Sequence, residues 1–119
     1  MSTATSGRAR EYRVRDHLIS MGWSFIMRAA ASKGPADIAM AHPEHGLALV
    51  QVGTEASKSL GPADRERLVK AAELSSALPV LATVNRGVIR YRIVTLDQPR
   101  HWEDFDPATQ RDIGPDCGA

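Results

Sequence analysis

Three positions can bring side-chain oxygen donors together around a divalent cation. Asp37 enters a short apolar run, Ala36-Asp37-Ile38-Ala39-Met40, and a second run, Leu47-Ala48-Leu49-Val50-Gln51-Val52-Gly53, follows it. Residues two apart in a strand point to one face, so Gln51 and position 53 share a face, and a hairpin partner sets Asp37 beside them. An acid on one strand with polar groups at x and x+2 on the next is the layout of metal-dependent phosphodiester hydrolysis. Glu11 adds a second acid. At about 100° per residue it falls on the apolar stripe of the first helix, where a carboxylate needs a partner. Position 53 is glycine and contributes no side chain.

The elements that must hold these residues are legible in the spacing. Gly7 to about Met21 reads as a helix on Val14, Leu18 and Met21, with Tyr12 and Ile19 widening the stripe. Ser6 is its expected N-cap and Gly22 its terminator. Arg13, Asp16, His17 and Ser20 belong to the solvent side. Trp23–Arg28 reads as a strand with Trp23, Phe25 and Met27 on one face and Ser24, Ile26 and Arg28 on the other. Ala29–Pro35 is a loop or bulge, Ala36–Met40 the second strand, His42–Gly46 a turn, and Leu47–Val52 a central strand. After a polar loop over 53–60, Pro62 opens a second helix that runs to about Ala77, with Leu68, Ala72 and Ser75 on one face. Pro79–Val84 and Val88–Leu96 are the last strands, joined by the Asn85-Arg86-Gly87 turn. The order α-β-β-β-α-β-β predicts an α/β sandwich with a central mixed sheet between helices. Residues 7–96 form the domain on this reading. Residues 97–119 form an acidic, proline-containing extension that Trp102 and Phe105 can dock.

Composition narrows the classes. One chain of 119 residues encloses a single core, and 43% hydrophobic with 24% charged residues is ordinary for a soluble protein. No apolar run reaches the roughly 18 residues of a membrane helix, and the first seven residues have no secretory core. Cys117 is the single cysteine, which fits a reducing cytoplasm. The net charge of +1 hides an asymmetry: residues 1–95 hold 13 Lys/Arg against 8 Asp/Glu, and residues 96–119 hold 2 against 6. A basic body is the electrostatic footprint of a nucleic-acid binder, and equally a feature of many plain solvated surfaces. The histidines at 17, 42, 45 and 101 lack zinc-ligand spacing, and there is no glycine-rich phosphate loop.

Together, Gly7-x-x-x-Glu11, Gly22-Trp23, Arg28, Ser32-Lys33, Asp37-Ile38 and Val50-Gln51-Val52 resemble the archaeal-type Holliday junction resolvases. These are restriction-endonuclease-like nucleases with a Pro-Asp … Asp/Glu-x-Lys signature, and the likeness spans residues 7 to about 95. The resemblance implies a restriction-endonuclease-like fold and Mg²⁺ (or Mn²⁺) held by Glu11, Asp37, Gln51 and the Val52 carbonyl. It further implies a homodimer, whose two-fold axis suits the symmetric strands of a four-way DNA junction, with roles in recombination and repair. Gln51 stands where that family has glutamate and Gly53 where it has a catalytic lysine; Lys33 or Lys58, on neighbouring loops, is a candidate to reach the site in its place. Arg10 and Arg28 match phosphate-gripping positions, and Arg8, Arg13, Ser32 and Lys33 complete the expected DNA face. Sheet surfaces or helix-2 positions such as Leu68, Ala72 and Ser75 are candidate dimer contacts, with the choice left open by the sequence, and a bacterial or phage-infected cytoplasm is the expected setting. Two plainer readings stand beside these: Glu11 paired with Arg15 at i+4, and Asp37 capping the Gly34-Pro35 turn. At the level of function the alternative is a catalytically inactive pseudo-nuclease that binds DNA or serves as an interaction module.

Overall fold

The computed structural model describes residues 3–29, 35–54 and 60–108, and the side chains of the first helix from Arg8 onward. Ser32, Lys33, Lys58 and Cys117 lie outside the described residues. Helix α1 spans Thr3–Ser20, followed by β1 (Ser24–Arg28), β2 (Ile38–His42), β3 (Gly46–Thr54), α2 (Pro62–Leu74), β4 (Ala77–Asn85) and β5 (Val88–Ile93). The helix starts four residues earlier than Gly7, so Ser6 is not its cap. It ends as expected at Gly22, whose φ of +94° is a left-handed conformation that glycine adopts without a Cβ penalty. Helix α2 stops three residues short of Ala77, which becomes the first residue of β4.

The five strands lie in the order β1-β2-β3-β4-β5. The β3–β4 pair is parallel, as the intervening helix requires, and the other pairs are antiparallel. This mixed sheet carries one helix on each face, an α/β fold of the expected element order. Residues 48, 50 and 52 of β3 face α1 and pack with Val14, Leu18, Ile38, Met40, Val80, Ala82 and Tyr91. Leu49 faces the other side with Leu68, Leu81, Val94 and Trp102. Leu68 and Ala72 are fully buried against the sheet, so they are core residues and not dimer contacts. Tyr12 and Ile19 are 40% and 46% exposed and do not widen the apolar stripe of α1. No helix among the described residues is long and apolar enough to cross a membrane.

The segment after β5 is tied to the body. Trp102 is buried, its Nε1 donates to the Asp97 carbonyl at 3.1 Å, and Arg65 and Arg92 stack against its ring. Phe105 packs on the α1-side core, and its amide donates to the Tyr91 carbonyl at 2.9 Å. Further on, the Pro107 carbonyl accepts from Trp23 Nε1 at 2.8 Å, and the Ala108 carbonyl lies 3.1 Å from His45 Nε2.

Candidate functional site

The carboxyl ends of β3 and β4, the start of β2, the end of β1 and the N-terminal half of α1 meet at one end of the sheet. Glu11 and Asp37 are both buried there, at 9% and 7% exposure. Asp37 sits just before β2, where the ladder to β3 has not yet begun. Its Oδ2 accepts from the Val52 amide at 2.8 Å, doing for that amide what a strand carbonyl would do further along. Its own amide donates to the Val50 carbonyl, and its carbonyl accepts from Ala29. Burial pushes the Asp37 carboxyl above its ordinary range. The Val52 hydrogen bond opposes that rise, the Glu11 charge adds to it, and the Arg28 charge opposes it.

Glu11 does not pair with Arg15, which bridges Asp16 instead. Its partner is Arg28, whose Nε donates to Glu11 Oε1 at 2.7 Å. This contact depends on an irregularity in β1. Phe25 pairs with Met40 but Met27 pairs with Ala39, so one extra residue is taken up between them and Arg28 falls opposite Ile38. Ile38 faces α1. In regular alternation Arg28 would share the face of Ala39, away from Glu11. The bulge turns it to the helix side, and the face assignment read from alternation is corrected accordingly.

Gln51 pairs with Leu81 and lies on the α2 face with Leu49, across the sheet from Val50 and Val52. Its Nε2 donates to the Pro35 carbonyl at 3.1 Å, leaving the carboxamide oxygen as the group with ligand capacity. Gly53 is buried beside Thr83. Asp37 therefore joins the two sides: its carboxylate bonds the Val52 amide, while Pro35, two residues before it, holds Gln51. A cavity of about 190 Å³ opens next to it, lined by Met27, Ala29, Pro35, Ala36, Ile38, Ala39 and Leu49.

Among the described residues no third acid, histidine or cysteine joins Glu11 and Asp37. The donor set is two carboxylates, a carboxamide oxygen and a backbone carbonyl, all hard oxygen ligands of the type that Mg²⁺ and Mn²⁺ take. In chemical type it fits such an ion. It carries less negative charge than a set with glutamate at 51, and part of that charge is met by Arg28.

The basic residues fall into two groups. Arg28 touches Glu11, whereas Arg8, Arg10 and Arg13 follow the N-terminal half of α1. Arg8 and Arg13 are exposed, and Arg10 is half-buried with its Nε lacking a hydrogen-bond partner among the described residues. Arg13 reaches the β4–β5 turn, where its Nη1 would lie 3.3 Å from a Cβ at position 87. Arg86 in that turn is exposed and stands at the same end of the sheet. Sequence reasoning missed it because only the parallel β3–β4 pairing brings the turn to this end.

No protein-family model matches the sequence, and no curated protein matches it. The likeness is seen in three dimensions: the chain superposes on Hjc, a Holliday junction resolvase from the archaeal hyperthermophile Archaeoglobus fulgidus, with a TM-score of 0.61. The match covers 72% of this chain and 70% of that one at 21% identity. In fold, this chain is similar to an archaeal Holliday junction resolvase.

Proposed function

We propose that this chain is a divalent-cation-dependent endonuclease of the Holliday junction resolvase type, acting on branched DNA as a homodimer. One observation carries the reading. Two buried carboxylates from different elements, Glu11 and Asp37, converge at one end of a resolvase-like sheet, where Asp37 is bonded to the strand that carries Gln51. A buried acid is costly unless something charged is meant to meet it. Glu11, Asp37, the Gln51 carboxamide oxygen and the Val52 carbonyl are the groups that would hold Mg²⁺ or Mn²⁺. When bound, such an ion supplies an acidified water and stabilises charge developing on a phosphodiester. The protein's own part is positional. The Val52 amide fixes one oxygen of Asp37 and leaves the other free to ligate, while the Pro35 carbonyl fixes Gln51. Arg8, Arg10, Arg13 and Arg86 offer charge to DNA phosphates on the same end of the molecule.

A second reading is a resolvase-like protein that binds branched DNA without cutting it. Gly53 favours it, since no side chain at that position can orient a water, and so does the engagement of Glu11 by Arg28. Two assays on a synthetic four-way junction separate the readings. Binding that weakens with salt, at roughly 0.9 in the log–log slope per neutralised phosphate, is expected of both. Nicking in Mg²⁺ or Mn²⁺ that disappears in Asp37→Asn is expected only of the endonuclease. Binding without nicking selects the second reading, and junction affinity that is flat with salt contradicts both.

A further inference from the structure

The site already holds a cation of its own. Arg28 Nε lies 2.7 Å from Glu11 Oε1, with side-chain exposures of 26% and 11%, and its charge reaches Asp37 as well. The β1 bulge places it there against the strand's alternation. A guanidinium bonded to one of two neighbouring carboxylates offsets part of the charge that a divalent cation would meet. It cannot leave by losing its proton, because arginine stays charged. It can leave only by moving. Its outward route is short: the guanidinium lies 5.8 Å from the Tyr12 ring, which is 40% exposed and already carries Arg15 at 4.6 Å. Two guanidinium groups on one exposed ring make a basic rim to the site.

We propose that Arg28 is a displaceable counter-ion of this centre, holding Glu11 until a divalent cation binds and then turning its guanidinium outward onto a DNA phosphate. The inference rests on the divalent-cation reading above. It links cation and DNA binding through one side chain, and by reciprocity each must tighten the other. Arg28 is a positioning residue on this account: it governs the availability of Glu11 and the grip on the substrate.

The test is calorimetric titration of the full-length protein with Mn²⁺, comparing wild type, Arg28→Gln and Arg28→Lys, with melting curves to verify folding. Removing one competing charge at this range is expected to tighten Mn²⁺ binding roughly tenfold in Arg28→Gln, and Arg28→Lys is expected to stay near wild type. A merely structural Arg28 would weaken Mn²⁺ binding in both variants. Equal or weaker binding in Arg28→Gln overturns the exchange and leaves the cation site standing. No Mn²⁺ binding in any form overturns the cation reading and the exchange together. Should Arg28→Gln not fold, Glu11→Gln carries the test from the other partner. With Arg28 already released, its junction affinity without metal is expected to show a salt slope steeper than wild type by roughly 0.9, one phosphate. A slope unchanged from metal-free wild type overturns the proposal.

Discussion

Two corners of this molecule bury polar side chains, and they dispose of them differently. Where the C-terminal segment packs on the body, backbone groups meet the polar side-chain atoms, and Arg65 and Arg92 lie over the Trp102 ring. Trp23 donates to Pro107, Trp102 to Asp97, His45 meets Ala108, and His42 Nδ1 accepts from the amides of Glu44 and His45. Around this network the rings of Trp23, His42, His45 and Phe105 lie 4.8 to 6.3 Å apart. At the other corner one carboxylate, Glu11, holds a guanidinium, and the other, Asp37, holds a backbone amide. The first corner is complete as a piece of architecture. The second keeps oxygen valence and negative charge in reserve, and that contrast is what the proposed function draws on.

The comparison breaks most visibly at the packed corner. Trp102→Ala removes a buried indole, its hydrogen bond and the surface on which Arg65 and Arg92 stack, and is expected to cost about 3–5 kcal/mol in urea unfolding. Truncation after Leu96 also removes Phe105, and against a typical total of about 5–15 kcal/mol it is expected to leave a chain that does not fold cooperatively. A stable truncated domain would show that the segment is an appendage.

The charged corner is expected to respond in the opposite sense. The Asp37 carboxyl is raised in the folded state, chiefly by burial, so its contribution favours folding below the unfolded carboxyl range and is lost as pH rises through the folded value. Asp37→Asn keeps an acceptor for the Val52 amide and removes the charge. Its stability relative to wild type is therefore expected to rise from pH 3 to pH 7, read as the difference between two urea-melt series. A difference that is flat with pH, or falls, would mean that burial does not dominate at Asp37. The smallest effect belongs to the surface: Arg90 and Asp104 pair at 3.0 Å with side chains 50% and 73% exposed. Arg90→Ala is expected to change stability by no more than about 0.5 kcal/mol, and a larger loss would show that this pair anchors the segment.

The elements were readable because their periodicities are strong. Val14 and Leu18 are spaced for a helix, the apolar runs of β3 and β4 are continuous as a central strand demands, and Pro62 and Gly22 punctuate the helices. What sequence could not show were the places where one residue changes the register. The bulge in β1 leaves no signature in Phe25-Ile26-Met27, yet it decides which side of the sheet Arg28 occupies and hence that Glu11 pairs with Arg28 and not Arg15. Gln51 and Gly53 do share a face, as strand geometry requires, but the face is that of α2, while Glu11 comes from α1. Asp37 bridges them by lying just outside the ladder, which alternation cannot express. Ser75 illustrates the same limit on α2: it lies in line with Leu68 and Ala72 but follows the last helical residue and is exposed.

The central claim is that this end of the sheet is a phosphodiester-cleaving centre weakened by glycine at 53. The most direct measurement is the single-turnover rate of nicking a synthetic four-way junction in Mg²⁺ by wild type, Gly53→Lys and Gly53→Lys/Gln51→Glu. One positioned charged group at such a centre is typically worth about 10²–10³ in rate, so Gly53→Lys is expected to gain on that order, and the added glutamate to lower the Mg²⁺ concentration required. All three proteins binding the junction while none cuts it in Mg²⁺ or Mn²⁺ would contradict the claim.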